Sequence, residues 1–557
     1  MKKTLIILSL ILAFSMPELT AQDNIVRKAS KSVFTLTTYN ADGSLLATTH
    51  GAYCGNAGEG ISSFTPFVGA SSAVVIDGAG NKYDVEAIIG ANEMYDICRF
   101  RLSSTKGVTL PTAKAEAKGK LWAVGYSTKK AEIKPVTVKS AEKFSDKYFY
   151  YIFEEEINDE LLGCPILNDA GEIVGLVQKS STNYNIHSTD ANYYLELAST
   201  GLSYHDATMR KTNIRAALPS DHNQAQMMLL MINASDDSMN VVNTTKEYIE
   251  RYPNEIDGYS AMAKYEVNHQ NLAKASEMME TAVKKSEKKE EALLEYAELI
   301  YSTTVYLPDS VKCDWSIDLA EETVNKAIAI NSLPASRHLL AKIKYAKKDY
   351  ASALALFEGL GNGDMATSEV FYEIAQCKSQ LGASKDDILV CMDKAVEACP
   401  KPLTNISAPY ILARGMVLDD MGDIKKAMQD YNLYDTLMNF RANAQFYYTR
   451  YKCEMKRRQY QQAINDISHA AVINPTEPTY LAELASAQLR VGNFEEAVQA
   501  CNLCLQLTTE YSDVYIVKGV ALNYLGKKEE STEALRKAKE LGDERADGYL
   551  EKFSKAK

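Results

Sequence analysis

Acyl-transfer chemistry is the reaction that residues in the first third of the chain come closest to supporting. It needs a hydroxyl or thiol nucleophile, an imidazole that accepts its proton, and a carboxylate that orients the imidazole. Asp96, Cys164 and His50 have the right chemical types, although the chain has only 7 histidines. Cys164 could pair with His50 or could be a small buried residue beside a turn. His187 and His205 belong to no motif, and we expect both at the surface.

A second pair of reactive side chains lies near the C-terminus. Cys501 and Cys504 form a CxxC spacing on one helical face. A metal or redox site would need a second such pair or a nearby histidine, and neither accompanies it. The spacing therefore favours buried packing, and the sequence predicts no metal site and no cofactor. The 10 cysteines allow no disulfide pairing to be assigned.

The elements that must position the first group of residues are short strands. Residues 25–200 consist of alternating apolar and polar segments separated by turn residues such as Asp77-Gly78. Many short strands with regular turns predict a closed barrel or a sandwich. The clearest segments are SVFTLT (32–37), AVVI (73–76), YDVEA (83–87), LWAVGY (121–126) and the hairpin PILNDAGEIVGLV (165–177).

Five stretches in this region follow one another in the order of a known family. They are ISSFTPFVGA (61–70), VVIDGAGNKYDV (74–85), DICRF (96–100), LWAVGYS (121–127) and ELLGCPILNDAGEIVGLV (160–177). Together they resemble the trypsin-like fold of bacterial Deg-type serine proteases. The resemblance implies a double β-barrel and, in the family, endopeptidase activity.

The departures from the family pattern bear directly on catalysis. Asp96 occupies the carboxylate slot, but the histidine slot falls on Thr65 and the serine slot on Leu162. Leucine has no nucleophile, and threonine is no base near neutral pH. The turn that builds the family's oxyanion hole reads Glu160-Leu161-Leu162-Gly163 in place of Gly-Asn-Ser-Gly. Resemblance and departures together predict degenerate triad slots and a catalytically inactive domain.

The N-terminus and the overall charge restrict location and partners. Residues 1–21 (MKKTLIILSLILAFSMPELTA) combine two lysines, an apolar stretch and small residues, which indicates a signal peptide and a periplasmic or secreted protein. No later run of 18 apolar residues follows, so we expect no transmembrane segment. The net charge is −12 without a basic block, which argues against nucleic-acid binding.

The rest of the chain has helical periodicity with an internal repeat. A small-residue position recurs with a period near 34 residues, and two helices per period resemble the tetratricopeptide (TPR) repeat. Glycines that could end a first helix precede several turns, at Gly382, Gly422, Gly492 and Gly526. The recurring position falls on Val242, Ala275, Ala320, Ala353, Ile388, Ala427, Ala463, Ala497 and Ser531. Residues twelve places earlier are also small in several units, at Ala263, Ala341, Gly415, Ala485 and Gly519.

The resemblance to TPR domains implies a superhelix with a binding groove lined by first-helix residues. The basic positions of the family's clamp for acidic C-terminal peptides are not matched here. We predict instead a mixed apolar and polar surface for an extended peptide, a helix or a partner domain. Its residues would be Tyr448, Lys452, Ser486, Arg490, Val520 and Asn523.

The sequence thus predicts a multidomain β + α protein. A signal peptide (1–21) precedes a trypsin-like double β-barrel (22–205), a linker (206–222) and a TPR superhelix of eight to nine helix pairs (223–557). The predicted function is that of a non-catalytic scaffold or adaptor of the bacterial cell envelope, with a chaperone-like assembly role as one form of it. The alternative is a secreted trypsin-like serine endopeptidase with TPR substrate docking. The oligomeric state is left open.

Overall fold

The computed structural model describes residues 24–104, 107–115, 119–125, 131–180, 182–233, 238–306, 315–363 and 365–555. The predicted signal peptide lies outside these residues. A β-rich region is followed by a long α-helical region, which confirms the predicted order of the two. The chain divides into two compact units, the first running to Leu299 and the second beginning at Ile300.

Six strands close into a barrel at the start of the first unit, in the order β1-β2-β3-β6-β5-β4. Phe34, Phe67 and Phe100 fill its interior. Phe34 fits because Gly51 has no side chain: a Cβ there would lie 2.5 Å from the Phe34 ring. The strands are β1 (Val33–Tyr39), β2 (Leu45–Tyr53), β3 (Glu59–Ser62), β4 (Ser72–Asp77), β5 (Lys82–Asn92) and β6 (Ile97–Leu102).

Two four-stranded sheets follow, in the orders β12-β11-β7-β8 and β13-β14-β10-β9. Val124, Phe153 and Ile166 belong to the hydrophobic core of this part. The short helix α1 (Ala191–Glu196) adds Tyr194 to that core. The strands are β7 (Leu121–Gly125), β8 (Glu132–Val136), β9 (Val138–Phe144), β10 (Tyr148–Glu156), β11 (Pro165–Asn168), β12 (Ile173–Leu176), β13 (Gln178–Lys179) and β14 (Asn185–Thr189).

The segment 206–222, expected to be a linker, is hydrogen-bonded to the six-stranded barrel. The Asn213 amide donates to the Ala70 carbonyl at 2.8 Å, and the Ile88 amide donates to the Arg215 carbonyl at 2.9 Å. These pairings satisfy backbone groups that a free linker would expose to water. The segment is therefore part of the first unit.

The α-helical region begins within the first unit and continues through the second. Consecutive helices pack on one another in pairs, as in Ile256–Asn268 with Leu272–Lys285 and Ser512–Tyr524 with Lys528–Glu540. The helices are α2 (His222–Asn233), α3 (Ser238–Arg251), α4 (Ile256–Asn268), α5 (Leu272–Lys285), α6 (Lys289–Tyr306), α7 (Ile317–Ile330), α8 (Pro334–Ala346), α9 (Tyr350–Gly361), α10 (Ser368–Gln380), α11 (Lys385–Glu397), α12 (Ala408–Asp420), α13 (Ile424–Leu437), α14 (Ala444–Lys456), α15 (Tyr460–Ile473), α16 (Pro478–Val491), α17 (Phe494–Leu507), α18 (Ser512–Tyr524), α19 (Lys528–Glu540) and α20 (Arg545–Lys555). None of these described helices has both the length and the apolar composition to cross a membrane.

The recurring small-residue position explains how the paired helices approach one another. Eight of its nine members are buried, and the exception is Val242, which is half-buried beside the buried Val241. A Cβ on Gly519 would lie 2.7 Å from the Leu535 side chain, so the helix contact there depends on glycine. The predicted turn glycines have a positive φ, which a side chain disfavours.

Candidate functional site

The histidine slot and the carboxylate slot are joined by hydrogen bonds. Thr65 opens a short 3-10 turn after β3, and Asp96 lies in the turn between β5 and β6. The Thr65 amide donates to Asp96 Oδ1 at 2.7 Å, and the Thr65 hydroxyl donates to the same oxygen at 2.9 Å. Asp96 therefore caps the turn that contains Thr65, where a protease would have it orient an imidazole.

The backbone of Asp96 is fixed from a second direction. Its φ is +47°, in the left-handed region that aspartate tolerates better than most residues. Gln178 Nε2 donates to the carbonyl oxygens of Tyr95 and Asp96 at 2.8 and 3.0 Å. Gln178 is itself buried on β13 and accepts from the Thr189 amide at 2.9 Å. The backbone at the carboxylate slot is thus held by hydrogen bonds from a buried side chain.

The serine slot lies in a turn whose amides bond within the protein. In a serine protease the amide of the nucleophile and the amide two residues before it bind the oxyanion. The Leu162 amide donates to the Asp159 carbonyl at 3.3 Å, and the Glu160 amide donates to Asn158 Oδ1 at 3.1 Å. Both candidate oxyanion donors therefore already have acceptors. The serine slot thus holds a leucine, and the Leu162 and Glu160 amides are engaged in hydrogen bonds within the turn.

His50 contacts the serine slot, although it lies outside every matched block. Its amide and its ring Nδ1 both approach the Leu162 carbonyl, at 3.3 and 3.1 Å. The Thr49 hydroxyl donates to the same carbonyl at 3.3 Å. Burial lowers the pKa of His50, and the Leu162 carbonyl opposes that effect. The half-buried His50 ring ties β2 to the serine-slot turn, and its lowered pKa favours the neutral form.

The neighbouring residues Gly163 and Cys164 are structural. Gly163 has φ +78°, and a Cβ there would collide with the His50 carbonyl oxygen, so only glycine fits. Cys164 is completely buried, and burial raises its pKa to about 12, with the Glu132 charge adding to the effect. A thiol with that pKa stays protonated at neutral pH and is a poor nucleophile. Cys164 is therefore a small buried residue beside a turn.

The two other histidines considered from the sequence have different environments. His205 is exposed, as expected. The expectation for His187 is wrong: it is 3% exposed on β14. Its ring nitrogens lie 3.1 Å from the Tyr150 hydroxyl and 2.8 Å from Asn183 Oδ1. Cross-strand pairing places the ring between these two groups, which a linear motif search does not reveal.

Thr65→Val tests whether the hydrogen bond between the Thr65 hydroxyl and Asp96 stabilises the fold. The valine keeps the amide hydrogen bond and loses the hydroxyl bond to Asp96, so we expect the free energy of unfolding to fall by about 1 kcal/mol. Urea denaturation followed by intrinsic fluorescence measures this change. The control is Thr48→Val at an exposed position of β2, which should change stability by about 0.5 kcal/mol or less. Equal effects of the two substitutions would show that the hydrogen bond from the Thr65 hydroxyl to Asp96 contributes nothing to stability.

In the second unit, three of the predicted groove residues lie on or beside aromatic rings. Lys452 Nζ is 4.8 Å from the ring centre of Tyr448, and Arg490 Cζ is 6.0 Å from that of Tyr460. The Tyr448 and Tyr480 rings are 5.3 Å apart. Lys452 and Arg490 are exposed, so their charges are available to solvent. Lys452 and Arg490, with the half-buried rings of Tyr448 and Tyr460, form a cationic and aromatic surface on α14, α15 and α16, whereas Tyr480 is buried.

The other three predicted groove residues are less accessible. Ser486 and Asn523 are half-buried. Val520 does not line an open surface: it is 9% exposed and packs in a cluster with Ile516 and Leu535. Its position on α18 faces α19, and this corrects the expectation from the sequence. The apolar part of the proposed surface therefore comes from the tyrosine rings.

A buried ion-pair network in the second unit was not anticipated. Arg414 binds Asp430, and Arg450 binds Asp466, in both cases 16 residues later in the chain. The recurrence of this spacing in successive units is the sequence signal that could have revealed it. Glu454, one turn after Arg450, is 5% exposed, and its Oε2 has no hydrogen-bond partner among the described residues. Burial raises the pKa of Glu454 to about 8, with the Asp466 charge adding and Arg450 opposing.

The structures that the chain is similar to include serine proteases of the HtrA type. No family model matches the chain, and no curated protein matches it. The HtrA-type protease AlgW with a tripeptide is 13% identical, with a TM-score of 0.28, over 31% of this chain and 61% of that one. A serine endoprotease from Yersinia pestis is 14% identical, with a TM-score of 0.27, over 31% of this chain and 64% of that one.

A third solved structure has a larger share of its length matched. A protease of M. tuberculosis in its active form is 13% identical, with a TM-score of 0.29, over 37% of this chain and 89% of that one. The chain spans about three fifths of the length of the first two proteases. The similarity is therefore distant and covers little more than a third of this chain.

Proposed function

We propose that the protein is a non-catalytic scaffold or adaptor of the bacterial cell envelope. In this proposal the N-terminal region is a degenerate trypsin-like double β-barrel spanning about residues 22–205. The helical region is a TPR superhelix whose groove holds protein or peptide partners. The protein would reach the periplasm or the exterior after cleavage of residues 1–21.

The observation that carries the proposal is the hydrogen bonding of the serine-slot turn. The Leu162 and Glu160 amides donate to acceptors of the same turn, and Thr65 binds the carboxylate that an imidazole would need. A single substitution that restored the nucleophile would leave the other two requirements unmet. These contacts argue against hydrolysis as the role of the β-rich region.

The partner surface is supported by the cationic and aromatic surface of α14, α15 and α16. Lys452 and Arg490 carry exposed positive charges above tyrosine rings on a chain whose net charge is −12. Such a surface suits a segment with acidic and aromatic or aliphatic side chains. Its charge would also favour encounter with an acidic partner at low ionic strength.

The catalytic part is tested with a fluorophosphonate probe and casein on the protein lacking residues 1–21. We expect no labelling and no cleavage. The double variant Thr65→His with Leu162→Ser should also stay inactive, because the Glu160 and Leu162 amides remain engaged. An active trypsin-like protease serves as the positive control. Cleavage by the unmodified protein that disappears in His50→Gln or Cys164→Ala would support the alternative, a secreted endopeptidase with TPR substrate docking.

The binding part is tested by affinity capture from an envelope fraction. Wild-type protein is compared with a Lys452→Glu/Arg490→Glu variant, and Lys326→Glu provides a control at an exposed lysine of α7. The proposal predicts a partner that the wild type and the control retain and the double variant loses. Retention of the same proteins by all three would contradict a role for this surface.

A further inference from the structure

Three potential metal ligands converge between two helices of the second unit. His338 lies on α8, and Glu369 and Glu373 lie one turn apart on α10. One ligand atom from each of the three lies within 4.8 Å of the others. Within the described part of the chain, this is the one group of three or more such residues found at that closeness.

Two of the three ligands are held in place before any ion binds. His338 Nε2 is 2.6 Å from Glu373 Oε2, and both side chains are only 13% exposed. The His338 ring packs edge-to-face with the buried Phe357 ring, with ring centres 5.7 Å apart. The imidazole is therefore held with Nε2 directed towards Glu373. Glu369 is exposed and leaves an approach from solvent.

We propose that His338, Glu369 and Glu373 form a binding site for a divalent transition-metal ion such as Zn²⁺. One imidazole and two carboxylates supply nitrogen and oxygen ligands, and water would complete the coordination. Mg²⁺ and Ca²⁺ prefer ligand sets made of oxygen alone, so the imidazole selects against them. No short sequence motif reveals the site, because His338 is 31 and 35 residues away from Glu369 and Glu373.

The neighbouring Lys342 would compete with the ion for the Glu369 carboxylate. Lys342 Nζ lies 4.0 Å from Glu369 Oε1, one turn along α8 from His338. That separation is at the outer limit of an ion pair, and the lysine is partly exposed, so it can move away when an ion binds. An ion bound at the site would join α8 to α10 and so connect two successive helix pairs. The site would add a metal-dependent restraint to the helical region, independent of the proposed scaffold function.

The test is calorimetric titration of Zn²⁺ into the tag-free, metal-stripped protein that lacks residues 1–21. We expect one bound ion per chain and no comparable binding of Mg²⁺. Glu369→Gln should weaken Zn²⁺ binding about tenfold or more. His338→Gln should weaken it similarly, and Lys342→Gln should strengthen it because the competing charge is removed. The matched control is His469→Gln, a substitution on α15 that should leave binding unchanged.

Circular dichroism and Co²⁺ spectroscopy separate a loss of metal binding from misfolding and from binding by cysteine. Glu369 is exposed, so its variant should fold normally, which far-UV circular dichroism verifies. Co²⁺ replaces Zn²⁺ as a spectroscopic probe, and we expect d–d bands without a thiolate-to-cobalt band. No stoichiometric binding, binding that Glu369→Gln and His338→Gln leave intact, or a thiolate band would each overturn the proposal.

Discussion

Arg450→Met is expected to lower the free energy of unfolding of the second unit by about 3–5 kcal/mol. Arg450 Nε donates to Asp466 Oδ2 at 2.6 Å, and a second guanidinium nitrogen lies 3.0 Å from Asp435 Oδ2. The side chains of Asp435 and Asp466 are only 4% and 8% exposed. Methionine preserves much of the volume but leaves two buried carboxylates without their cation. The loss is therefore the cost of uncompensated buried charge rather than of one contact.

Urea denaturation followed by far-UV circular dichroism measures this change on the full chain. Lys326→Met is the control, because the Lys326–Glu322 pair is mostly exposed and should contribute about 0.5 kcal/mol or less. The triple variant Arg450→Met/Asp435→Asn/Asp466→Asn should recover part of the loss, since the uncompensated charges are removed. A small effect of Arg450→Met, equal to that of the control, would show that water reaches the two carboxylates.

The second large effect is a fall in stability as the pH rises through the neutral range. In the folded protein the pKa of Glu454 is about 8, because burial disfavours the charged form and Asp466 repels it. In the unfolded chain the group titrates near its ordinary value of 4.5. Between these two pH values the native state binds one more proton than the unfolded state. The contribution of Glu454 to the free energy of unfolding is complete below about pH 4.5 and falls by roughly 1.4 kcal/mol per pH unit until about pH 8.

Glu454→Gln isolates this contribution, because glutamine resembles the protonated carboxyl in shape and charge. We expect the variant to match the wild type near pH 4 and to be more stable than it near pH 8. Chemical denaturation at several pH values measures both curves. Glu495→Gln, at an exposed position of α17, is the control and should leave the pH dependence unchanged. A wild-type curve with the same slope as the Glu454→Gln curve would contradict the buried neutral carboxyl.

Local patterns in the sequence predicted much of the fold. The alternating segments became strands, and the recurring small residues such as Ala353 and Ala463 are buried where the helices pack. These features depend on periodicity within a few residues, which a sequence displays directly. The order of a β-rich region followed by helices was predicted for the same reason.

The residues of the candidate site could be proposed from the sequence, whereas their contacts could not. Thr65, Asp96 and Leu162 could be located by alignment to motifs, whereas the bond between His50 and Leu162 joins residues 112 apart. Val520 was misplaced because first-helix position alone does not say which side chains the following helix covers. The protonation of Glu454 depends on tertiary burial and on a charge from another helix. Such properties arise only when distant segments meet.

The burial of the thiols means that their rate of chemical labelling depends on local opening of the structure. The nine cysteines among the described residues are free and buried, and burial raises the pKa of Cys54 and Cys501 to about 12. Thiol reagents need an accessible thiolate, so modification in native conditions must wait for local opening. Cys54, Cys98 and Cys164 lie in the first unit, and the other six lie in the second. The rate of thiol labelling in each unit should therefore report how often that unit opens locally. Under oxidising conditions, the same burial would protect these thiols from disulfide exchange.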